Sequence, residues 1–271
     1  MDEVNSAVWT SPRTINMRVI ITGAAGRIGS QLVEELSASH EMLFIDRRPV
    51  KGRKSLVADL SQRPTTWAWR HWLGSKSSHW SDAFEGAEVV VHLAANIQPL
   101  APWEKVLPDN IQATWNVVEA AAKHRVPRVV FASSNWAVKA VENELAPSCY
   151  DPGGPKIDSE TPPFPLTAYG LSKAFGEVAG RMFVEEGKLE TFVAVRIGNY
   201  QPKPSTDEIV RVRWIGVDDI RSLFRRCVEA DLKGFHVVYA VSAQTTAPYD
   251  LSHTRQALSW SPQQVPANHE T

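Results

Sequence analysis

Little in the composition of this chain points to a charged partner, an oxidising compartment or a membrane. Lys and Arg number 29 against 30 for Asp and Glu, so no excess charge favours nucleic acid or an anionic membrane surface. The only cysteines, Cys149 and Cys227, have neither metal-ligand nor redox spacing, which indicates a reducing compartment. No apolar run reaches the length of a membrane span. We therefore expect a cytoplasmic protein with no metal, nucleic-acid or membrane partner.

The beginning and length of the chain suggest a simple organisation. Residues 1–16 lack the apolar core of a signal peptide and are predicted to be a flexible leader. The remaining length fits one α/β domain, which we place at residues 17–250. Residues 251–271 have little periodicity and are predicted to be a tail.

The stretch MRVIITGAAGRIG at residues 17–29 joins a strand, a glycine-rich turn and a helix. Val19, Ile20 and Ile21 have the pattern of a buried parallel strand, and from Ile28 onwards apolar residues recur at helical spacing. A helix that starts in such a turn offers unpaired N–H groups and partial positive charge to a pyrophosphate. This context favours a dinucleotide site.

Three glycines of this turn have separate roles in such a site. Gly23 allows the tight turn, Gly26 lets the backbone approach the ligand, and Gly29 lets helix and strand pack closely. A glycine-rich turn without a ligand is the weaker alternative. The predicted cofactor contacts in the turn are Gly23, Ala25, Gly26, Arg27 and Ile28.

An acidic residue ends the second predicted strand, which covers residues 42–45. Asp46 lies about twenty residues beyond the turn, where a carboxylate accepts hydrogen bonds from the adenosine ribose and repels a 2′-phosphate. Arg47 and Arg48 follow it, and a guanidinium there can hold a 2′-phosphate, although the two are equally explained as a solvated pair. We predict NAD as the cofactor, ahead of NADP, with Asp46 and Arg47 among its contacts.

Two later strands also end in informative residues. The strand at 88–95 runs into Leu93, Ala94 and Ala95, which leave room for a cofactor that crosses the carboxyl edge of a parallel sheet. Within it, His92 is interpreted as a core residue without chemistry. The strand at 128–132 delivers Ser134 to the same edge.

A tyrosine and a lysine in a predicted helix at 168–186 form a candidate catalytic pair. Their spacing of four places Tyr169 and Lys173 on one helical face. A cationic Lys173 would lower the pKa of Tyr169 from about 10, so that the phenol could act as a general base. The hydroxyl of Ser134 would then hold the substrate oxygen whose proton Tyr169 removes.

Over residues 17 to about 240 the chain resembles the extended short-chain dehydrogenases. The resemblance rests on four features taken together and in this order: the TGAAGRIG turn, the HLAA strand, the SS strand end and the YGLSK pair. The segments FASSN, AYGLSKAFGE, VRIGNYQPKP and WIGVDDI are most similar to uronate dehydrogenases. The resemblance implies a Rossmann-type doubly wound parallel sheet with a small C-terminal substrate lobe, NAD-dependent oxidation of a sugar at C1 to a lactone, and a homo-oligomer that pairs through helices at 103–124 and 168–186. Implied catalytic residues are Ser134, Tyr169 and Lys173, and implied further cofactor contacts are Asp59, Leu60, Asn110 and Ile197.

The chain departs from the uronate enzymes where the substrate is expected. Trp136 stands where they tend to have His, and the arginine that would bind a substrate carboxylate aligns nearest to Ile209, with Arg211 and Arg213 close by. A uronate, another acidic sugar and a neutral aldose therefore all stay open. Substrate-binding elements are predicted mainly in 136–165 and 198–240, with Ser134, Asn135, Asn199 and Arg211 as candidate contacts.

Two other functions and one unusual segment complete the predictions. The rivals are an NAD-retaining sugar-nucleotide epimerase or dehydratase, and a non-catalytic dinucleotide sensor on the same fold. The short C-terminal part disfavours the first, and the intact Ser-Tyr-Lys set disfavours the second. Four tryptophans fall between residues 61 and 81, and without a basic field we interpret them as a hydrophobic plug or subunit contact rather than a base-stacking surface.

Overall fold

A computed structural model describes residues 16–63 and 79–266 of the chain. The predicted leader, apart from residue 16, and three of the four clustered tryptophans, Trp67, Trp69 and Trp72, lie outside the described residues. Trp80 lies within them. Its indole is buried, packs edge-on against Phe84 with ring centroids 5.7 Å apart, and donates from Nε1 to the Gln62 carbonyl at 3.2 Å. The environment of Trp80 therefore fits the interpretation of these tryptophans as a hydrophobic plug.

Seven parallel strands form the central sheet, in the order β3-β2-β1-β4-β5-β6-β9. From β1 the chain first adds β2 and β3 on one side and then β4, β5 and β6 on the other side. This order defines a doubly wound fold, so the predicted fold class is confirmed. The strands are β1 Arg18–Thr22, β2 Glu41–Asp46, β3 Ser55–Val57, β4 Val89–His92, β5 Arg128–Ser134, β6 Thr191–Ile197 and β9 Gly234–Ala240. A separate parallel pair, β7 Asn199–Tyr200 and β8 Trp214–Ile215, lies beyond β6.

Helices cover both faces of the sheet. They are α1 Gly29–Leu36, α2 Trp103–Val106, α3 Ala113–Lys123, α4 Lys139–Leu145, α5 Ala168–Glu185, α6 Glu208–Arg211, α7 Val217–Glu229 and α8 Ser252–Leu258. Alternate strand residues face opposite cores: Val19 and Ile21 pack with α1 and α7, whereas Ile20 packs with α3 and α5. No helix in the described parts of the chain is long and apolar enough to cross a membrane.

The helix predicted at 103–124 is interrupted. Between α2 and α3, Leu107–Gln112 forms a π-helical turn that contains Pro108. Proline has no N–H to donate, so the regular ladder of helical hydrogen bonds is broken at this point. The turn lies beside the candidate site and presents Asp109 to it.

In place of the tail expected over 251–271, residues 251–266 are folded onto the domain. Helix α8 follows buried Leu251, and the indole of Trp260 is buried and donates to Ser222 Oγ at 2.9 Å. Next, the backbone N–H groups of Gln263 and Gln264 donate to the buried Asp219 carboxylate at 2.7 and 3.1 Å. The segment was missed because long-range side-chain contacts, rather than an amphipathic period, hold it in place.

Candidate functional site

A cavity of about 920 Å³ opens along the carboxyl ends of the central strands. This is the edge at which ligands bind in doubly wound sheets. Most of the residues predicted from the sequence lie on its wall. They are Gly23, Ala25, Gly26, Arg27, Ile28, Asp46, Arg47, Leu60, Leu93, Ala94, Ala95, Ser134, Tyr169, Lys173, Ile197 and Asn199.

The glycine-rich turn between β1 and α1 is packed too closely for side chains. Gly23 has φ +72°, and a Cβ there would lie 2.6 Å from the Ala94 backbone nitrogen. A Cβ at Gly29 would overlap the carbonyl oxygen of Gly23. Both positions therefore require glycine, and the turn leaves backbone at the cavity wall where a pyrophosphate could approach.

The carboxylate of Asp46 is held at the end of β2 by backbone groups. Its Oδ2 accepts from the Ala25 N–H and its Oδ1 from the Arg48 N–H, both at 3.0 Å. The acidic residue is thus bonded directly to the glycine-rich turn. This arrangement fixes a negative charge at one end of the cavity.

The two arginines after Asp46 have different environments. Arg47 forms ion pairs with Asp109 at 2.7 Å and Asp59 at 2.9 Å, and the hydrogen bond that it donates to Asp109 is the main cause that raises its pKa. Arg48 donates to the Ala25 carbonyl at 3.3 Å. Asp59 lies off the cavity wall, where it also accepts from Ser61. Asp109 was missed by the sequence analysis, since an isolated acidic residue next to Pro108 carries no recognisable signal.

Asn110 and His92 lie behind the wall. Asn110 is buried, accepts from the Asn96 N–H at 2.7 Å and donates to the Asn96 carbonyl at 3.0 Å, so it fixes the loop after β4. His92 lies between the hydroxyls of Thr22 and Thr114, at 2.7 and 3.1 Å. Burial lowers the pKa of His92 to about 3, so the ring is neutral and acts as part of the core.

Three polar side chains meet at the centre of the cavity. Ser134 ends β5, and its Oγ accepts from the Trp136 N–H at 3.2 Å. Tyr169 and Lys173 lie one turn apart at the start of α5, and both line the cavity together with Ser134. Lys173 Nζ donates to the Ala132 carbonyl at 2.8 Å and lies 5.6 Å from the centre of the Tyr169 ring.

The pKa of Tyr169 is raised, so the expected lowering by Lys173 is wrong. Burial raises the pKa of Tyr169, and the nearby Ser134 hydroxyl offsets this only in part. Burial also lowers the pKa of Lys173 to about 7, so its charge is itself disfavoured. The spacing of Tyr169 and Lys173 indicates the attraction between their charged forms but not the cost of burying both.

The substrate end differs from expectation at two of the candidate contacts. Asn199 lies on the wall, whereas the Asn135 side chain is buried behind it and bonded to Ser134. Arg211 ends α6, away from the wall. Arg213 is turned into the protein, where its Nε donates to Glu142 Oε1 at 2.7 Å. The charge of this arginine is therefore neutralised by a buried carboxylate.

Comparison with known proteins identifies the family. The model of the NAD dependent epimerase/dehydratase family matches residues 19–213. The NAD-dependent glucose-6-phosphate dehydrogenase of Haloferax volcanii is 31% identical over 259 residues, covering 90% of this chain and 92% of that protein. The uronate dehydrogenase of Agrobacterium fabrum is 31% identical over 245 residues, covering 90% and 84%. This chain belongs to the NAD-dependent epimerase/dehydratase family, and the predicted resemblance is confirmed.

Solved structures agree with this assignment. The crystal structure of glucuronic acid dehydrogenase from Chromohalobacter salexigens superposes with a TM-score of 0.73 at 30% identity, over 92% of this chain and 85% of that one. The similarity therefore extends over nearly the whole of this chain.

Proposed function

We infer that the protein is an NAD-dependent dehydrogenase that oxidises C1 of a sugar or sugar acid and gives a lactone. The observation that carries this proposal is the meeting of Ser134, Tyr169 and Lys173 on the wall of a cavity whose far end carries Asp46 and the glycine-rich turn. The relatives, which are named as sugar or sugar-acid dehydrogenases, support the same reaction class.

The far end of the cavity fits a dinucleotide. The backbone around Gly23 and Gly26 and the start of α1 suit a pyrophosphate, and the Asp46 carboxylate suits the ribose hydroxyls. NAD, when bound, supplies the hydride acceptor. Because Asp46 brings a negative charge and the Arg47 guanidinium is already paired with Asp59 and Asp109, we assign NAD ahead of NADP.

The central residues divide the remaining chemistry. Tyr169 removes the proton of the substrate hydroxyl, and Ser134 orients the oxygen from which the proton leaves. Lys173, whose pKa of about 7 lies near neutrality, can carry a positive charge beside the phenolate that accepts this proton. Burial of all three side chains keeps bulk water away from this proton transfer.

The substrate end favours a sugar bound largely by neutral groups. Trp136, Asn199 and Tyr200 lie on the wall there, while Arg213 is bound to Glu142. A uronate, another acidic sugar or a neutral aldose therefore fits the proposal, and Asn199 and Ser134 are the proposed polar contacts. The relatives named for glucose 6-phosphate and for uronates are named for negatively charged sugars, so they support the acidic members of this range.

The test measures NADH formation with NAD or NADP and a panel of glucuronate, galacturonate, glucose 6-phosphate, sulfoquinovose, glucose and arabinose. We expect turnover with NAD and at least one of these sugars. The variant Tyr169→Phe should lose about 10²- to 10⁴-fold in kcat, because it removes the proton acceptor, and should bind NADH within about twofold of the parent. Undiminished turnover in this variant would exclude the assigned mechanism.

The rival functions give different results. An epimerase or dehydratase would retain tightly bound NAD through purification and produce no net NADH. A dinucleotide sensor would bind NADH with no turnover of any sugar. If no sugar of the panel gives NADH, one of these two functions replaces the proposal. The NAD content of the purified protein would then decide between them.

We also propose a homo-oligomer. Apolar side chains on α5 and on the helical segment before α3 are exposed: Trp103 44%, Leu107 40%, Leu171 47% and Val178 62%. A second copy of the chain would cover them if the two helices paired with their equivalents. Light scattering of the purified protein should give a mass of at least two chains, and a monomer at micromolar concentration would contradict the proposal.

A further inference from the structure

An ionic bridge lies at the nucleotide end of the cavity. It joins Arg47, which follows β2, to Asp59 beyond β3 and to Asp109 in the π-helical turn before α3. The Nη2 atom of Arg47 donates to Asp59 Oδ1 at 2.9 Å and to Asp109 Oδ1 at 2.7 Å. Arg47 and Asp109 lie on the cavity wall, whereas Asp59 lies off it. We call these three residues the Arg47 bridge.

The bridge occupies the part of the guanidinium that would bind a phosphate. Nη2 carries two hydrogens, and each carboxylate of the bridge accepts one of them. A guanidinium binds a phosphate through two parallel N–H groups on neighbouring nitrogens, and the two edges that offer such a pair are Nη1–Nη2 and Nε–Nη2. Because Nη2 belongs to both edges, the two carboxylates block both of them.

The charges around the bridge also oppose a further anion. Three carboxylates, from Asp46, Asp59 and Asp109, face two guanidinium groups, from Arg47 and Arg48. A phosphate monoester carries about 1.5 to 2 negative charges at neutral pH. A 2′-phosphate placed beside Asp46 would therefore add to an excess of negative charge, and it would compete with Asp109 for Nη2.

Asp109 is held more firmly than the arginine that it binds. The next residue, Asn110, is buried and is bonded in both directions to the backbone of Asn96, which fixes the π-helical turn. The side chain of Asp109 is 19% exposed, and that of Arg47 is 49% exposed. The carboxylate thus has a fixed place on the wall, while the guanidinium has room to move once it is released. A single π-helical turn within a helix is common at functional sites.

We propose that Asp109 is a cofactor-specificity residue that acts through Arg47, by keeping the guanidinium from a 2′-phosphate and so favouring NAD over NADP. This role differs from that of Asp46, which is bonded to the glycine-rich turn and opposes the phosphate by its own charge. Asp109 is the partner of Arg47 that lies on the wall, so its removal opens the edge of the guanidinium that faces the cavity. The inference rests on the proposed function only in that the cavity binds a dinucleotide.

The test measures dissociation constants for NADPH and NADH by fluorescence titration, without any sugar. Asp109→Ala should tighten NADPH binding about fivefold or more, because the released guanidinium can donate charge-assisted hydrogen bonds to the 2′-phosphate. NADH binding should stay within about twofold. The control Glu104→Ala removes an exposed carboxylate from α2, and both dissociation constants should stay within about twofold. No gain in Asp109→Ala, or an equal gain in the control, would overturn the proposal.

A double substitution separates action through Arg47 from direct repulsion by Asp109. If Asp109 acts by engaging the guanidinium, its removal has no effect once the guanidinium is gone. In the Arg47→Gln background, Asp109→Ala should therefore change NADPH affinity less than about twofold. A gain as large as in the parent background would mean that the Asp109 charge itself repels the phosphate, and would overturn the assigned route.

A smaller pair of probes locates the effect at the 2′ position. Adenosine 2′,5′-bisphosphate and adenosine 5′-monophosphate differ by the 2′-phosphate, and their affinities are measured by displacement of NADH. Asp109→Ala should tighten the first about fivefold or more and the second less than about twofold. Equal gains for both probes would place the effect elsewhere in the nucleotide and overturn the proposal.

Should Asp109→Ala fail to fold, Asp109→Asn replaces it in all three measurements. The amide keeps the shape of the side chain, but its neutral oxygen is a weaker acceptor than a carboxylate and yields Nη2 to a phosphate more readily. NADPH binding should again tighten, by about threefold or more, and an unchanged affinity would overturn the proposal.

The outcomes also separate this inference from the proposed function. A protein that binds both dinucleotides and oxidises no sugar, yet gains NADPH affinity in Asp109→Ala, would contradict the proposed function and support the role of Asp109. An active sugar dehydrogenase whose NADPH affinity does not respond to Asp109→Ala would support the proposed function and overturn this inference.

Discussion

The two ends of the cavity are stabilised in different ways. At the nucleotide end, the Asp46 carboxylate is bonded to backbone N–H groups of Ala25 and Arg48, and the fit depends on glycines packed against backbone. At the substrate end, side chains from distant parts of the chain meet on the buried carboxylate of Glu142, with Tyr249 lying 107 residues away. One end depends on backbone geometry and the other on a buried charge.

This difference predicts different responses to substitution. Replacing a side chain such as Asp46, which is bonded to backbone N–H groups at the cavity wall, should weaken ligand recognition but change the stability of the fold little. A buried charge is tolerable only while its partners remain, because removal of one leaves the others buried and unpaired. Changes at the substrate end should therefore alter stability first, whereas changes at the nucleotide end should alter cofactor choice.

The largest expected effect is on stability at the substrate end. Glu142→Ala leaves Lys139 and Arg213 without their buried counter-charge, and should lower the free energy of unfolding by about 3–5 kcal/mol. Urea denaturation at neutral pH measures the loss. The control Glu144→Ala removes an exposed carboxylate from the same helix and should change stability by less than about 0.5 kcal/mol. Similar losses in both variants would mean that the cluster adds nothing specific.

Acid distinguishes the core histidine His92 from the Glu142 cluster at the substrate end, because the two groups titrate in different pH ranges. In the unfolded chain His92 binds a proton near pH 6.5, and in the folded protein only near pH 3. Between these values the unfolded state binds more protons, so stability falls as the pH falls. Glu142 has a folded pKa below 4.5, and its contribution is lost only at still lower pH. Mild acid should therefore act on His92 before it acts on the cluster.

The test compares slopes of stability against pH between pH 6 and pH 4.5. The slope of the parent protein should exceed that of His92→Asn by up to one proton, or about 1.4 kcal/mol per pH unit. Thr114→Val, which removes a hydroxyl partner but retains the buried imidazole, should lower stability and keep the parent slope. Equal slopes in parent and His92→Asn would show that this histidine does not link folding to pH.

The nucleotide end was the more predictable of the two from sequence, for a physical reason. A strand, a glycine-rich turn and a helix follow one another in residues 17–29, so backbone requirements leave a local pattern. Strands and helices continue to alternate along the chain, and this alternation predicted the doubly wound sheet. The pairing of Tyr169 with Lys173 could also be predicted from the sequence, because one helical turn fixes their separation.

The substrate end could not be predicted in the same way. No local pattern relates Glu142 to Tyr249 or Arg213, and the charge of Arg213 looked available for a substrate because its partner is distant in sequence. The folded segment at 251–266 was missed for the same reason, since Trp260 and Gln264 are held by α7. The direction of the pKa shift of Tyr169 is determined by burial, which cannot be inferred from the spacing of residues along the sequence.

The smallest expected effect concerns cofactor choice at Asp46. Replacement by Ser removes the negative charge that opposes a 2′-phosphate and should shift the ratio of kcat/KM for NADP over NAD by about tenfold, or about 1.4 kcal/mol. Because Asp46 also accepts from the Ala25 N–H, affinity for NADH should fall as well. The control Glu41→Ser makes the same change in charge at the opposite end of β2 and should leave the preference unchanged. If both variants shift the preference equally, the effect belongs to overall charge, and Asp46 does not lie at the ribose.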